Sequence, residues 1–433
     1  VDQYGEEGEE NLLSFEKFPY TALSKTYNTN LQTPDSAGTM SAMITGIKTK
    51  AGAISVDERV QIGECGPKAH HTTSLLTEAE LSGFRTGIVT TARLTHATPA
   101  ATYAHAEKRS WESDHNIPKA QRKHCQDIAL QLIEYSIGDG IEVAMGGGRY
   151  NFIGSKTADP EYGLFSKGMR EDQQDLTKAW LQKHDNAAYV WNQKQFDAID
   201  IKNTDHLLGL FEPSHMQYEI DRNDDQAGEP ALKDMTAKAL KLLQKDNTPY
   251  FLIVEGGRID HGHHAGYAKK ALHDTVALSD AVDTALSVVD LKNTLIMVTA
   301  DHAHTMTMSG YAQKGNPILG KIFVPDEQGN PSDKLQKDSQ DKPMTTLSYA
   351  NGPGYVNGDK RPDLTHVDTE HKDYKQAATL PLYSETHSGE DVIIYATGAG
   401  SQLVRGVLEQ NMTYHIMKTA IEHQLKTNGS NGN

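Results

Sequence analysis

The stretch Phe251-Leu-Ile-Val-Glu-Gly-Gly-Arg-Ile-Asp-His-Gly-His-His264 constrains this chain more than any other. A continuous apolar run breaks at two glycines into a segment carrying Glu255, Asp260, His261, His263 and His264. The apolar half reads as a buried strand of a parallel sheet, covered on both faces. In open α/β sheets the ligand crevice lies outside the carboxyl ends of the strands, and the polar half falls there. The four-residue spacing of Asp260 and His264 allows an oxygen and an imidazole to reach one metal ion. Glu255, just before the glycines, is a hard oxygen donor suited to Mg²⁺. A solvated charged loop is the plainer account, and a cluster placed directly after an apolar strand weighs against it.

The arrangement recurs. Thr294-Leu-Ile-Met-Val-Thr299 reads as another buried strand, and Ala300-Asp-His-Ala-His304 follows it. Two acid–histidine clusters after consecutive strands would face one crevice. Glu385-Thr-His-Ser-Gly-Glu390 sets a further histidine beside the strand Val392-Ile-Ile-Tyr395. Near the amino end, Ser36 opens a helix of small residues that Gly46 can cap. Its hydroxyl fits two roles: the N-cap, or a nucleophile in the partial positive field where a phosphate also binds.

Periodicity predicts further strands at Tyr20–Lys25, Arg85–Thr91 and Val143–Met145. It predicts helices over Ser74–Leu81, Cys125–Tyr135, Leu176–Gln182, Pro230–Gln244, Tyr267–Val289 and Gly406–Gln424, leaving 150–228 otherwise loop-rich. Residues 1–17 are acidic and weakly patterned. Residues 306–384 dissolve into Gly, Pro, Asp and Lys, too long for a loop, and are expected to form an inserted subdomain. The remainder, 1–305 with 385–433, predicts an α/β fold: a doubly wound, mostly parallel sheet with helices on both faces. A formal charge of −16 argues against nucleic acid as a partner. No run of eighteen apolar residues occurs, so no membrane span is expected. Cys65 and Cys125 could form one disulfide or remain two thiols.

Five motifs in register resemble those of the alkaline phosphatases: Pro34-Asp-Ser-Ala37, His96-Ala-Thr-Pro99, Val254 to His264, Val298-Thr-Ala-Asp-His302 and Glu385 to Glu390. The resemblance runs from about Leu12 to His423. Tyr20 to Tyr27 and Gly209-Leu-Phe-Glu-Pro213 are similar to the animal-type branch.

The resemblance implies hydrolysis of phosphate monoesters, releasing inorganic phosphate, through a phosphoserine at alkaline pH with two Zn²⁺ and one Mg²⁺. It implies Ser36 as nucleophile, Asp35 as the residue that sets its loop, and Arg109 as the guanidinium that clamps two phosphate oxygens. Asp260, His264 and His387 match ligands of the first zinc, Asp301 and His302 of the second, and Thr98 and Glu255 of the magnesium. His96 and His261 stand where the best-known bacterial members have Asp and Lys. The animal-type branch has His at both, which implies altered pH and metal tuning, and Trp111 follows that branch. Glu161, the Phe211 carbonyl, Glu212 and Asp224 or Asp225 match an extra cation site suited to Ca²⁺. Cys65 and Cys125 match a disulfide pair, which implies a periplasmic or extracellular location. The 306–384 insertion resembles a crown-like subdomain over a homodimer.

The family's first strand normally ends in Asp-Gly-Met-Gly, whose Asp ligates the second zinc and the magnesium. That motif is absent here, and Asp2 lies too far along to replace it. The expectation is that the native protein carries this strand ahead of Val1, the rival being a non-catalytic, metal- or phosphate-binding relative. A related phosphodiesterase or sulfatase is the other alternative, against which Arg109 and the Thr98–Glu255 pair argue.

Overall fold

The computed structural model describes residues 8–356 and 361–430, with side chains through 425. Nine main strands are β1 (Tyr20–Lys25), β2 (Arg85–Arg93), β3 (Val143–Gly147), β4 (Ala187–Val190), β5 (His206–Leu210), β6 (Tyr250–Glu255), β7 (Leu295–Thr299), β8 (Val392–Gly398) and β9 (Gly406–Glu409). They form two hydrogen-bonded parts. One is an all-parallel sheet in the order β4-β5-β3-β2-β6. The other runs β9-β1-β8-β7, with β8 antiparallel to both neighbours and β9 parallel to β1.

Helices cover both faces of the parallel sheet, as the predicted α/β class requires. They are α1 (Ser36–Thr45), α2 (Leu75–Leu81), α3 (Ala97–Ala100), α4 (Ile128–Glu134), α5 (Leu176–Lys183), α6 (Leu232–Leu243), α7 (Arg258–His264), α8 (Ala268–Val288) and α9 (Met412–Ser430). Alternate strand residues divide between two cores. Ile88, Ala144 and Leu208 pack with Ile44, Leu75, Ile128 and Trp180 of the first helices. Val89, Val143, Met145 and Leu207 pack with Leu232, Met235 and Leu243 of α6 and with Ala281 of α8. Cys65 and Cys125 are joined by a disulfide, their Cα atoms 5.8 Å apart.

Four expectations are corrected. The Phe251–Val254 and Leu295–Val298 strands are half-buried rather than buried. Phe251 and Ile253 still pack on one core and Leu252 and Val254 on the other. The exposure lies at the edges: β6 and β7 each end their sheet, with no further ladder partner among the described residues. Residues 406–409, predicted as the start of a helix, form β9 instead, and the helix begins at Met412. The stretch 150–228, read as loop with one helix, also contributes β4 and β5 to the parallel sheet. At Cys125 the predicted helix starts late, at Ile128, because Asp127 caps it by accepting from Leu130 N–H. The acidic 1–17 stretch falls partly outside the described residues, its rest forming short 3₁₀ turns at Gly8–Glu10 and Ser14–Lys17.

Candidate active site

The ends of β2, β6 and β7 bring the predicted residues into one crevice, and α1 starts above it. Asp35 takes the capping position beside Ser36. Its Oδ1 accepts from Gly38 N–H at 3.1 Å, so Asp35 is the N-cap and Ser36 is the first helical residue. The Ser36 hydroxyl is therefore not used for capping, and Oγ lies 3.0 Å from His302 Nε2. Thr39, one turn on, donates to Asp301 Oδ2 at 3.0 Å. Asp35 Oδ2 accepts from Gly52 N–H at 2.9 Å and from Arg109 Nη1 at 3.1 Å. One carboxylate thus sets the helix start, the loop and the guanidinium together.

Asp260 lies at the centre of the imidazoles. Its Oδ1 is 3.3 Å from His264 Nε2 and 3.2 Å from His387 Nε2. Both rings donate their other nitrogen to backbone carbonyls: His264 Nδ1 to Glu385 O at 2.5 Å and His387 Nδ1 to Pro34 O at 2.7 Å. In the neutral rings this leaves both Nε2 lone pairs free, and these atoms are only 3.1 Å apart. Two lone pairs converging beside a carboxylate repel unless a cation lies among them, so the donor set fits a zinc. Burial alone would raise the Asp260 carboxyl, but the hydrogen bond from His304 and the imidazoles gathered around it hold it well below the usual carboxylate range. Asp301 and His302 lie next to this group, His302 Nε2 being 3.3 Å from Asp301 Oδ2. The buried His302 Nδ1 has no hydrogen-bond partner among the described residues.

Glu255 Oε2 accepts from Thr90 Oγ1 at 2.5 Å. Burial pushes this carboxyl up to about 7, opposed by hydrogen bonds from Thr90 and Thr98 and reinforced by the Asp301 charge. A bound cation would remove that penalty, and two hydroxyls and a carboxylate are oxygen donors of the kind Mg²⁺ takes.

His96 and His261 lie on the same side of the crevice, rings 5.4 Å apart edge to face, with His215 completing a three-histidine group. Arg109 Nη2 donates to His96 Nε2 at 3.2 Å. Burial, then the Arg109 charge, keeps His96 far below its ordinary value, and burial with Arg258 lowers His261 to about 3. Trp111 is fully buried, with backbone hydrogen bonds to Lys108 and Ile128.

The extra cation set separates in an informative way. Glu161, Glu212 and Asp225 bring carboxylate oxygens within 4.8 Å of one another. Both Asp225 oxygens are buried without a hydrogen-bond partner among the described residues. Asp224 is exposed and pairs with Lys372 at 3.4 Å, so Asp225 is the member. The Phe211 carbonyl accepts from Arg149 Nη1 at 3.1 Å. Burial, then Asp225, raises Glu161 to about 7.

Sequence reasoning gave no role to His215, His304, Glu385 or Arg258. His304 does carry a signal, standing two residues after His302. His215 lies in the stretch without periodic pattern and carries none.

Three comparisons bear on this geometry. The family model described as alkaline phosphatase matches residues 2–423. The tissue-nonspecific isozyme of alkaline phosphatase from Gallus gallus is 45% identical over 424 residues, covering 95% of this chain and 78% of that protein. The Homo sapiens isozyme is 42% identical over 421 residues, with the same 95% and 78% coverage. Among solved structures, the alkaline phosphatase from the Antarctic bacterium TAB5 superposes with a TM-score of 0.63 at 21% identity, over 96% of this chain and 92% of that one. The Thermus thermophilus alkaline phosphatase gives 0.65 at 22% identity, over 95% and 85%. At such identities the two structures speak for the fold.

Proposed function

The chain belongs to the alkaline phosphatase family, and from that premise we propose that it hydrolyses phosphate monoesters through a phosphoserine on Ser36, at alkaline pH and with bound divalent cations. The observation that carries this reading is the pairing of Ser36 Oγ with His302 Nε2 at 3.0 Å while Asp35 takes the helix cap. A serine relieved of capping, in the first turn of a helix and beside an acid–histidine cluster, is positioned to attack phosphorus.

Asp260, His264 and His387 would hold one Zn²⁺, Asp301 and His302 a second, and Thr98 and Glu255 an Mg²⁺. Bound there, the cations supply Lewis-acid stabilisation of the attacking and leaving oxygens and neutralise charge on the transferring group. The chain's own residues do the rest. Ser36 loses its hydroxyl proton, and its Oγ–phosphorus bond forms as the ester bond breaks and the alcohol leaves. Water then cleaves the phosphoserine, releasing phosphate and restoring the hydroxyl. Arg109, oriented by Asp35, offers its fork to two phosphate oxygens, with the α1 N-terminus adding partial positive charge. Deprotonation of Ser36 and of the attacking water favours alkaline pH.

Comparing rates on an aryl phosphate, its methyl ester and the matching aryl sulfate tests the reaction class. The monoester should be the fastest by at least an order of magnitude. Preference for the diester or sulfate would favour a different branch of the superfamily, and turnover of none would favour a binding protein.

Further features extend the proposal. Glu161, Glu212 and Asp225, with the Phe211 carbonyl nearby, would take Ca²⁺. The segment 306–384 is proposed as an inserted crown-like subdomain of a catalytic domain formed by 1–305 and 385–433. Its exposed Met308, Tyr311, Leu380 and Tyr383 support a homodimer, since apolar groups in such number favour being covered. A monomeric mass in light scattering would count against it. The Cys65–Cys125 disulfide supports a periplasmic or extracellular location. No helix among the described residues is long and apolar enough to cross a membrane.

A further inference from the structure

His96, His215 and His261 share one feature: each ring faces an arginine. Arg109 donates to His96 Nε2 at 3.2 Å, Arg93 backbone N–H to His215 Nδ1 at 3.1 Å, and Arg258 Nη1 to His261 Nδ1 at 3.2 Å. Two of these arginines are also bound to carboxylates, Arg109 to Asp35 and Arg93 to Glu112. Arg258 is different. Its guanidinium carbon stacks 3.7 Å over the Tyr218 ring, its backbone N–H donates to Thr91 Oγ1 at 3.1 Å, and its buried Nε has no hydrogen-bond partner among the described residues. These contacts fix the side chain against the first turn of α7, with its nearest polar partner the imidazole three residues on.

A guanidinium has five N–H donors and no acceptor. The His261 Nδ1 that receives Arg258 must therefore be the unprotonated nitrogen, and the ring proton belongs on Nε2. His261 Nε2 lies 4.0 Å from Asp260 Oδ2, too far to spend its N–H there. The donor is left available on the side of the crevice that Asp260 and His96 line.

We propose that Arg258 is a positioning residue that fixes His261 as the Nε2–H tautomer, so that a neutral imidazole presents one N–H to a non-bridging oxygen of the substrate phosphate. The consequence for the phosphate rests on the phosphomonoesterase reading; the tautomer does not. Arg258 acts through His261 and touches no reacting atom. It separates two tasks that one cation would otherwise combine, keeping its charge on Tyr218 and passing only a hydrogen bond to the crevice.

The test is a long-range ¹H–¹⁵N correlation spectrum of zinc- and magnesium-loaded protein labelled with ¹⁵N-histidine, with His261 assigned by its loss in His261→Gln. The parent protein should show the Nε2–H pattern for His261. Arg258→Met should shift that signal toward the Nδ1–H or a mixed pattern, and Arg258→Lys, which still donates, should retain it. With an aryl phosphate, Arg258→Met should raise KM about tenfold, the scale of one hydrogen bond to a charged group, with kcat changed less. Combining it with His261→Gln should cost no more than His261→Gln alone. An Nδ1–H pattern in the parent protein overturns the proposal, whether or not the methionine variant folds. So does an Arg258→Met variant with unmoved tautomer and KM, or losses that multiply in the double variant. An Nε2–H pattern in a protein that turns over no phosphate ester would leave the proton assignment standing and sink the enzymatic reading instead.

Discussion

His304 Nε2 lies 2.9 Å from Asp260 Oδ1, and the ring's other nitrogen lies 2.8 Å from Glu385 Oε2. Ionised carboxylates only accept hydrogen bonds, so this ring donates from both nitrogens and is cationic. Burial alone would lower it, but the bonds to Asp260 and Glu385 raise it to about 9. That distinguishes His304 from His264 and His387, whose outer nitrogens are tied to carbonyls and whose inner ones stay free. It also explains how Glu385 can be wholly buried. Its other oxygen accepts from Thr305 N–H at 2.6 Å and from the Thr305 hydroxyl at 2.7 Å.

His304→Ala should therefore weaken zinc binding through Asp260 by about 10–100-fold, as loss of a partner that orients a ligand does. It should also destabilise the fold by roughly 3 kcal/mol, because Glu385 is left buried without its counter-charge. Chelator competition and denaturant unfolding read the two effects separately. Zinc affinity equal to that of the parent would remove His304 from the account.

Asp35 has two separable duties, and two substitutions divide them. Asp35→Asn keeps a cap for α1, whereas Asp35→Ala should lower stability by about 1 kcal/mol. Both release Arg109 from its carboxylate and should raise KM for an aryl phosphate several-fold. Equal stability of the two variants would mean that the cap contributes nothing here.

Remote from the crevice, Glu80 and Glu142 are buried around Thr86. The Thr86 hydroxyl donates to Glu80 Oε1 at 2.5 Å and its N–H to Glu142 Oε2 at 2.6 Å, and each carboxyl has its other oxygen unpartnered among the described residues. Burial raises both to about 8, helped by the Glu142 charge at Glu80 and the Asp139 charge at Glu142. A carboxyl raised on folding holds its proton more tightly in the folded state. Its stability contribution is full below the unfolded value of about 4.5 and is lost as pH rises through 8. Urea unfolding should show stability falling between pH 5 and 9, over the alkaline range proposed for activity. Glu142→Gln should flatten that slope and gain ~2 kcal/mol at pH 9. An unchanged slope would show that the pair does not titrate in this window.

The site was more legible in the sequence than the sheet that carries it. Ligand type and spacing are local, so Asp260 with His264 could be paired before any fold was drawn, whereas the pairing of Thr98 with Glu255 and the roles of Asp301 and His302 came only from the resemblance. What a hydroxyl or a ring nitrogen does depends on its partner. That Ser36 is not the cap follows only from Asp35 Oδ1 accepting from Gly38 N–H. His304 became distinct from the candidate ligands only through Glu385, 81 residues away. Burial was misread at Phe251–Val254 because apolar character reports what a strand prefers, not whether its outer edge has a neighbour. The strands β4 and β5 escaped because Ala187-Ala-Tyr-Val190 and His206-Leu-Leu-Gly-Leu210 are poor in β-branched residues and lie within an irregular stretch.

The central claim is that Ser36 is the nucleophile of a phosphomonoesterase, and acid quenching during turnover of an aryl phosphate tests it most directly. Zinc-loaded protein quenched in this way and mapped by peptide mass should carry one phosphoryl group, on Ser36. Ser36→Ala should lose both the adduct and turnover while keeping its zinc content. A phosphoryl group on another residue, or full turnover by Ser36→Ala, would contradict the account.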